Sequence, residues 1–239
     1  MPTRHLLKLA ATLALCAGLA PAAQAAAVFI NNASFEADVL GEETNTDNFV
    51  TGWISHMNDS GGCNPQCFGV YNPGASSPSI PSGIVPNGNN VLYLVSPSGL
   101  NPVYQTLAGT VLTANTRYTL TVTVGNTEER DDYGAFGFRL GVVGSNNTYA
   151  ALTDDLSSIT NGTFVELSAS SMIQPGNPDI GKTLVVELFG PSQPGRGMPY
   201  AVMDNVRLDA TVTAVPEPAT AALVAPGLAV LGWLARRRR

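Results

Sequence analysis

The feature that most constrains the fold is the strict alternation of apolar and hydroxyl-bearing side chains over residues 118–124. Successive side chains of a β-strand point to opposite faces, so this period of two predicts a strand with one buried face. Residues 136–143 alternate in a similar way. Further strands are predicted at residues 28–31, 91–95, 103–107, 163–168, 183–189 and 200–208.

The segments between these strands are rich in Gly, Pro, Asn and Ser. No stretch of residues 26–214 has the 3.6-residue period of an amphipathic helix. Many short strands separated by regular turn signals are typical of two packed sheets. The sequence therefore predicts an all-β ectodomain, a jelly-roll β-sandwich, over residues 26–214.

The N-terminus has the parts of a secretory signal peptide. Arg4 and Lys8 precede an apolar run, and the small residues Ala23 and Ala25 follow it. We expect cleavage after Ala25, which makes residues 1–25 the signal peptide, with Ala27 as the alternative site. The apolar run is short for a membrane span of about 20 residues, which disfavours a retained anchor.

The last 25 residues, 215–239, differ in character from the domain before them. Pro216-Glu217-Pro218 is followed by the uncharged segment 219–235, and the chain ends in Arg236, Arg237, Arg238 and Arg239. At a rise of about 1.5 Å per residue, a helix of that length is at the short limit for crossing a hydrocarbon core. Terminal arginines stay in the cytoplasm. We predict a single transmembrane helix that leaves the ectodomain outside the inner membrane.

This arrangement resembles the PEP-CTERM sorting tails of Gram-negative bacteria. The resemblance rests on the Pro-Glu-Pro tripeptide, the apolar segment and the arginines, in a chain that also has a signal peptide. It implies processing by an exosortase-type membrane enzyme, a transient inner-membrane intermediate, and export to the cell surface or the exopolysaccharide matrix. The alternative is a plain C-terminal membrane anchor with a coincidental tripeptide.

The ectodomain is acidic. It holds 17 of the 18 acidic residues but only 6 of the 12 basic ones, for a net charge near −11. Nucleic-acid binding requires clustered Lys and Arg, so no nucleic-acid partner is expected. The charge is compatible with cation binding, although solubility alone also explains it.

Two cysteines, Cys63 and Cys67, remain after removal of the signal peptide. In an oxidising compartment such a pair most simply forms a disulfide. A zinc site needs about four ligands, and the mature chain adds only His56 as a further candidate. We predict the disulfide.

Five segments of the ectodomain occur in an order found in a known fold: Asn31–Glu36, Gly52-Trp53, Tyr104–Leu107, Tyr118–Leu120 and Asp204–Leu208. They are similar to galactose-binding-like jelly rolls, the fold of many carbohydrate-binding modules. The resemblance implies binding of carbohydrate and one structural calcium ion.

The calcium ligands implied by this resemblance are Glu36 and Asp204. Asp204 shares one parity along a predicted strand with Val202, Val206 and Leu208. This parity places Asp204 on the apolar side, where a carboxylate needs a cation or hydrogen bonds. The alternative is a bulge or edge position that leaves Asp204 hydrated.

The sequence offers little sign of catalysis. A nucleophilic triad needs a positioned base, and the mature chain has only His56 and no G-x-S-x-G segment. Many carboxylates could form a glycosidase pair, but the sequence does not rank them. We therefore predict that the protein is not an enzyme.

Sugar binding would require exposed aromatic platforms. Trp53 follows Gly52 at a strand start and is interpreted as a core residue. Tyr133 and Tyr149 lie in turn-rich segments and are predicted as platforms for a ligand. The predicted function is an exported surface or matrix protein whose ectodomain binds extracellular polysaccharide. The alternatives are a structural matrix protein without a small-molecule site, and a glycoside hydrolase.

Overall fold

A computed structural model describes residues 25–55, 68–74, 77, 80, 84–94, 102–126, 134–190, 201–213 and 236–237. By their internal contacts, Gln24–Val212 form one compact unit. Among the described residues there are twelve β-strands. They are β1 Ala25–Val28, β2 Thr44–Asn45, β3 Ile54–Ser55, β4 Phe68–Asn72, β5 Val91–Leu94, β6 Pro102–Val111, β7 Thr116–Asn126, β8 Ala135–Val142, β9 Thr148–Asp155, β10 Phe164–Ile173, β11 Thr183–Phe189 and β12 Ala201–Val212.

The strands form two antiparallel sheets. One sheet has seven strands in the order β10-β7-β12-β5-β4-β2, with β1 also paired to β12. The other has five strands in the order β3-β6-β11-β8-β9. Every pairing in both sheets is antiparallel. The predicted all-β sandwich is therefore confirmed.

Alternate residues of the central strands fill the space between the sheets. Leu120 and Val122 of β7 are buried, as are Phe136 and Phe138 of β8, and all four belong to one core cluster. Trp53 is also buried in this cluster, as interpreted from the sequence. Burying one such side chain contributes about 1.5–3 kcal/mol, so this core holds in place the strands that carry the candidate site.

β12 contains a bulge that the sequence did not reveal. Its register with β7 shifts after Asp204, and Asn205 has a φ of 52°, a left-handed conformation that Asn adopts more readily than most residues. Met203 and Leu208 lie in the main core, whereas Val202 belongs to a separate cluster. The interpretation that Asp204 shares a face with Leu208 is wrong, because the bulge changes the parity. Asp204 instead follows Val202 on the outer face of the seven-stranded sheet.

Several predicted features lie outside the described residues. These are the signal peptide up to residue 24, the cysteine pair Cys63 and Cys67, the aromatic Tyr133, the Pro216–Pro218 motif, the apolar segment 219–235, and Arg238 and Arg239. Of the terminal arginines, Arg236 and Arg237 are helical. In the described part of the chain, no helix has the length and apolar character needed to span a membrane.

Candidate active site

The outer face of the seven-stranded sheet carries a second apolar cluster. Val91 and Tyr93 of β5 face this side, because they alternate with Leu92 and Leu94, which lie in the main core. We name this group the outer-face cluster. Its buried members are Ile80, Val91, Tyr93 and Val202, with Tyr71, Val85 and Phe164 packed against them and partly exposed.

Asp204 is a buried acidic group on this face. It lies two residues beyond Val202 on β12 and opposite Thr123 of β7. Its exposed fraction is 0%. The structure therefore also differs from the alternative expectation, in which a bulge leaves Asp204 hydrated. Side chains two residues apart on a strand point to the same side, so Asp204 lies next to the outer-face cluster.

One loop binds both Asp204 and Glu36 through its backbone. The N–H of Asn87 donates to Oδ2 of Asp204 over 2.8 Å. The N–H groups of Asn89 and Asn90 donate to Oε1 of Glu36 over 2.9 and 2.7 Å. Gly88 is required between them, since its φ is 81° and a Cβ there would lie 2.4 Å from Cδ of Glu36. The structure thus brings together the two carboxylates that the sequence predicted as a pair.

The charge of Asp204 is poorly compensated. Burial raises the pKa of Asp204 to about 7, and the negative charge of Glu36 adds to the rise. Hydrogen bonds from the N–H groups of Asn205 and Asn87 lower it only in part. In the described part of the chain, no ion pair reaches Asp204. The Asp204 carboxyl is therefore protonated at higher pH than an ordinary aspartate.

The donor set around Glu36 and Asp204 does not match calcium. The ion takes about six to eight oxygen ligands. Here N–H donors point at Oε1 of Glu36 and at both oxygens of Asp204, which fills directions that a cation would need. Among the described residues, no group of three or more His, Cys, Asp or Glu could hold a metal. Calcium stays a prediction, and no step below runs through it.

Tyr149 is not the exposed platform expected from its turn-rich surroundings. Only 8% of its surface is exposed, because the residue packs in the main core cluster. Its hydroxyl donates to Oδ2 of Asp179 over 2.8 Å. Burial, followed by the hydrogen bond to Asp179, raises the pKa of Tyr149. The other predicted platform, Tyr133, lies outside the described residues.

Asp179 is the centre of a dense hydrogen-bonded cluster. Lys182 Nζ lies 2.7 Å from Oδ1, and Oδ2 accepts from Ser145 Oγ and Asn147 Nδ2 over 2.9 and 2.7 Å, besides Tyr149. The hydrogen bond from Lys182, with those from the neutral donors, holds the pKa of Asp179 well below its usual range. This carboxylate has a structural role, because its hydrogen bonds connect β9 to the turn before β11.

Two family matches cover most of the chain. The HpiC1-like family, described as HpiC1 cyclase, matches residues 26–209. The PEP-CTERM protein-sorting motif matches residues 214–239. The second match confirms the predicted sorting tail, which implies export, surface sorting in bacteria and processing by an exosortase. None of the curated proteins compared with the chain matches it.

Solved structures similar to this chain include cyclases. A cyclase from Fischerella sp. TAU has a TM-score of 0.66 and 27% identity, over 80% of this chain and 100% of its own. The Stig cyclase Fisc from Fischerella sp. TAU, in complex with (3Z)-3-(1-methyl-2-pyrrolidinylidene)-3H-indole, has a TM-score of 0.65 and 28% identity, over 78% and 98%. A cyclase from the same source in complex with 4-(1H-indol-3-yl)butan-2-one has a TM-score of 0.66 and 26% identity, over 80% and 100%.

These matches overturn the prediction that the protein is not an enzyme. A family of cyclases covers nearly the whole ectodomain, and similar structures hold indole ligands. A single buried carboxyl can serve as a general acid without a histidine-activated nucleophile or a pair of carboxylates, so the absence of those motifs from the sequence did not exclude catalysis. Carbohydrate binding by the ectodomain stays a prediction.

Proposed function

Because the chain belongs to the HpiC1-like cyclase family, we propose that it is an exported, surface-sorted cyclase whose general acid is Asp204. The observation that carries this proposal is the buried Asp204, whose pKa is raised to about 7 beside an apolar, aromatic cluster. General acids act best when their pKa lies near the working pH. Strongly perturbed carboxyls with few compensating charges are also typical of functional sites.

The reaction that suits this acid is a proton-initiated ring closure. Asp204 donates its proton to an unsaturated carbon of the substrate, which leaves a carbocation on the substrate and a carboxylate on the enzyme. A π bond of the same substrate attacks the cation and closes the ring. Loss of a proton from the cyclised cation restores the double bond, and the carboxylate takes up that proton. The net change is an isomerisation, so atoms and electrons balance without a further reactant.

The outer-face cluster supports an aromatic substrate. Tyr93 and Phe164 offer rings, and Val202 and Val85 offer aliphatic surface. Aromatic rings pack favourably in offset or edge-to-face geometry, by about 0.5–1.5 kcal/mol beyond area burial. Since similar cyclases are found with indole ligands, we propose a substrate that carries an indole.

Access to Asp204 requires movement of the loop that covers it. The carboxyl is fully buried, and the N–H of Asn87 occupies Oδ2. Proton transfer needs contact within hydrogen-bond distance. The substrate therefore displaces Asn87 and its neighbours when it binds.

A binding experiment tests this site. The exported protein is titrated with 4-(1H-indol-3-yl)butan-2-one by calorimetry, as wild type and with Phe164→Ala. We expect saturable binding that Phe164→Ala weakens about tenfold, because a ring contact and its buried area are lost. Phe49→Ala is the matched control, since Phe49 is exposed and outside the cluster. Two outcomes would contradict the proposed substrate class. One is that Phe164→Ala binds the ketone as tightly as the wild type does, and the other is that the wild type does not bind it.

A further inference from the structure

Phe29 is an exposed aromatic residue on a rigid backbone. Its exposed fraction is 82%. On one side, Val28 pairs with Leu208 of β12; on the other, Ile30 is buried in the main core. Exposing a large aromatic ring on a fixed segment gives up the free energy that burial would provide. The ring is therefore available to contact something outside the chain.

The segment after Phe29 is also fixed. The N–H of Asn31 donates to Oε1 of Gln105, and Nε2 of Gln105 donates to the carbonyl oxygens of Asn31 and Gly52, each over 2.8 Å. This single amide joins three segments of the chain. A ligand that stacked on Phe29 would not have to order the backbone first, which reduces the entropic cost of binding.

Phe29 forms a wall of a cavity of about 270 Å³, which we name the Phe29 cavity. The volume lies just below the range of about 300–1,000 Å³ typical of drug-sized ligands, so it suits a ligand the size of one ring. The remaining lining residues are Asn31, Gly52, Gln105, Thr106, Leu107, Ala108 and Thr110. None of these residues shares a hydrogen bond with Asp204 or belongs to the outer-face cluster.

The chemistry of the Phe29 cavity is neutral and hydrogen-bonding. The described lining residues include no charged side chain, although the ectodomain has a net charge near −11. Within the described structure, the side chains of Asn31, Thr106 and Thr110 form no hydrogen bond to another residue. A Cβ on Gly52 would lie 2.7 Å from Nδ2 of Asn31, so the glycine leaves room for this amide.

We propose that the Phe29 cavity binds a neutral sugar residue of an extracellular polysaccharide. A sugar ring has an apolar face that can stack on Phe29 and hydroxyls that can bond to the Asn31 amide and the two threonine hydroxyls. The acidic ectodomain repels anionic polymers, which selects a neutral glycan. Such a site would hold a surface-sorted protein in the matrix independently of the reaction at Asp204.

The test uses the full chain, exported by a bacterial host and purified in detergent, in calorimetric titrations. The probes are the neutral hexasaccharides cellohexaose, xylohexaose and mannohexaose, and the acidic hexagalacturonate. We expect saturable binding of at least one neutral probe and none of the acidic one. Phe29→Ala should weaken that binding about tenfold, the loss expected for an aromatic contact with its buried area.

The controls separate the cavity from other roles of Phe29. Phe49→Ala removes another exposed phenyl ring, 58% exposed, and should leave sugar binding unchanged. Thr106→Val removes a hydroxyl at nearly constant volume and should weaken sugar binding several-fold. Phe29→Ala and Thr106→Val should both keep the wild-type melting temperature and the wild-type affinity for 4-(1H-indol-3-yl)butan-2-one.

Four results would overturn the proposal. The first is no binding of any neutral probe, and the second is equal sugar binding by wild type and Phe29→Ala. The third is a wild-type dimer that Phe29→Ala dissociates, which would make the surface an interface between copies. The fourth is loss of indole-ketone binding in Phe29→Ala, which would assign the cavity to the reaction site. A failure of the indole experiment alone would leave the sugar result standing, because the two sites share no residue.

Discussion

Asp179 and Asp204 are both buried, with exposed fractions of 2% and 0%, but the groups around them have opposite effects on the two pKa values. Asp179 meets the ammonium of Lys182 and three neutral side-chain donors. Asp204 meets two backbone N–H groups and the negative field of Glu36. The first carboxyl is stabilised as an anion, which lowers its pKa, whereas burial raises the pKa of the second. Burial alone therefore does not distinguish the two carboxyls; the charges and hydrogen-bond donors around each one do.

The two residues also contribute to stability in opposite pH ranges. The folded-state pKa of Asp179 is lowered, so its contribution is present above pH ~3.8 and is lost as the pH falls through the folded value. The folded-state pKa of Asp204 is raised to about 7. Its contribution is fully present below pH ~3.8 and is lost as the pH rises through about 7.

The largest expected effect is on catalysis. Asp204→Asn removes the proposed acid and should lower turnover of any substrate that the protein cyclises by about 10²–10⁴-fold. Asp209→Asn is the matched control, since it makes the same change five positions along the same strand and should retain wild-type turnover. Comparable rates for the two variants would place the acid elsewhere.

A second effect is expected in the hydrogen-bonded cluster around Asp179. Lys182→Met removes the ammonium and leaves the charge of Asp179 buried without its strongest partner, so the melting temperature at pH 7 should fall by several degrees. The double variant Lys182→Met with Asp179→Asn should recover part of that loss, because it also removes the uncompensated charge. Thermal unfolding followed by circular dichroism measures both. An unchanged melting temperature in Lys182→Met would show that the neutral donors suffice.

A third effect is the pH dependence of stability at Asp204. Asp204→Asn removes a carboxyl that must be buried as an anion above pH 7. Between pH 5 and pH 8, the free energy of unfolding of the variant should therefore gain about 2–3 kcal/mol relative to the wild type. Urea unfolding at both pH values measures this, and Asp209→Asn should show no such gain.

Thermal unfolding of the wild type and Asp204→Asn, with calcium and with a chelator, tests the calcium prediction. If Glu36 and Asp204 hold the ion, calcium should raise the melting temperature of the wild type, and Asp204→Asn should abolish that rise. No calcium-dependent shift in the wild type would remove both residues from any metal site.

A smaller effect is expected at the loop over Asp204. Gly88→Ala introduces a Cβ against Glu36 at a positive φ, which should lower the free energy of unfolding by about 1–3 kcal/mol. Displacing the loop also admits water to Asp204, so its pKa should fall toward the usual range. If the pKa stayed at about 7 in this variant, loop cover would not be the cause of the shift.

Much of the fold could be predicted from the sequence, because local alternation specifies a strand with one buried face. The predicted strand at residues 183–189 coincides with β11, and β7 extends the alternating run at both ends. β9 was missed. Its register with β8 shifts and Ala150 has a positive φ, so its buried residues do not follow a period of two.

The site was less predictable, because its properties depend on residues far apart in the chain. The parity of Asp204 changes at a bulge that only the pairing with β7 reveals. Its burial depends on the loop around Asn87, 117 positions away. Tyr149 looked exposed beside turn residues, but its partner Asp179 lies 30 positions further on. Tyr93 was not singled out as a site residue, although its alternation with Leu92 could have placed it on the outer face.

The most direct test of the account is a carbon-13 NMR titration of the aspartate carboxyls from pH 3 to pH 9, with Asp179→Asn and Asp204→Asn used to assign the two signals. The account predicts that Asp204 titrates at about pH 7, while the Asp179 carboxyl stays ionised down to well below its usual range. If Asp204 instead titrated below pH 5, it would be fully ionised at neutral pH, and its assignment as the general acid would be wrong.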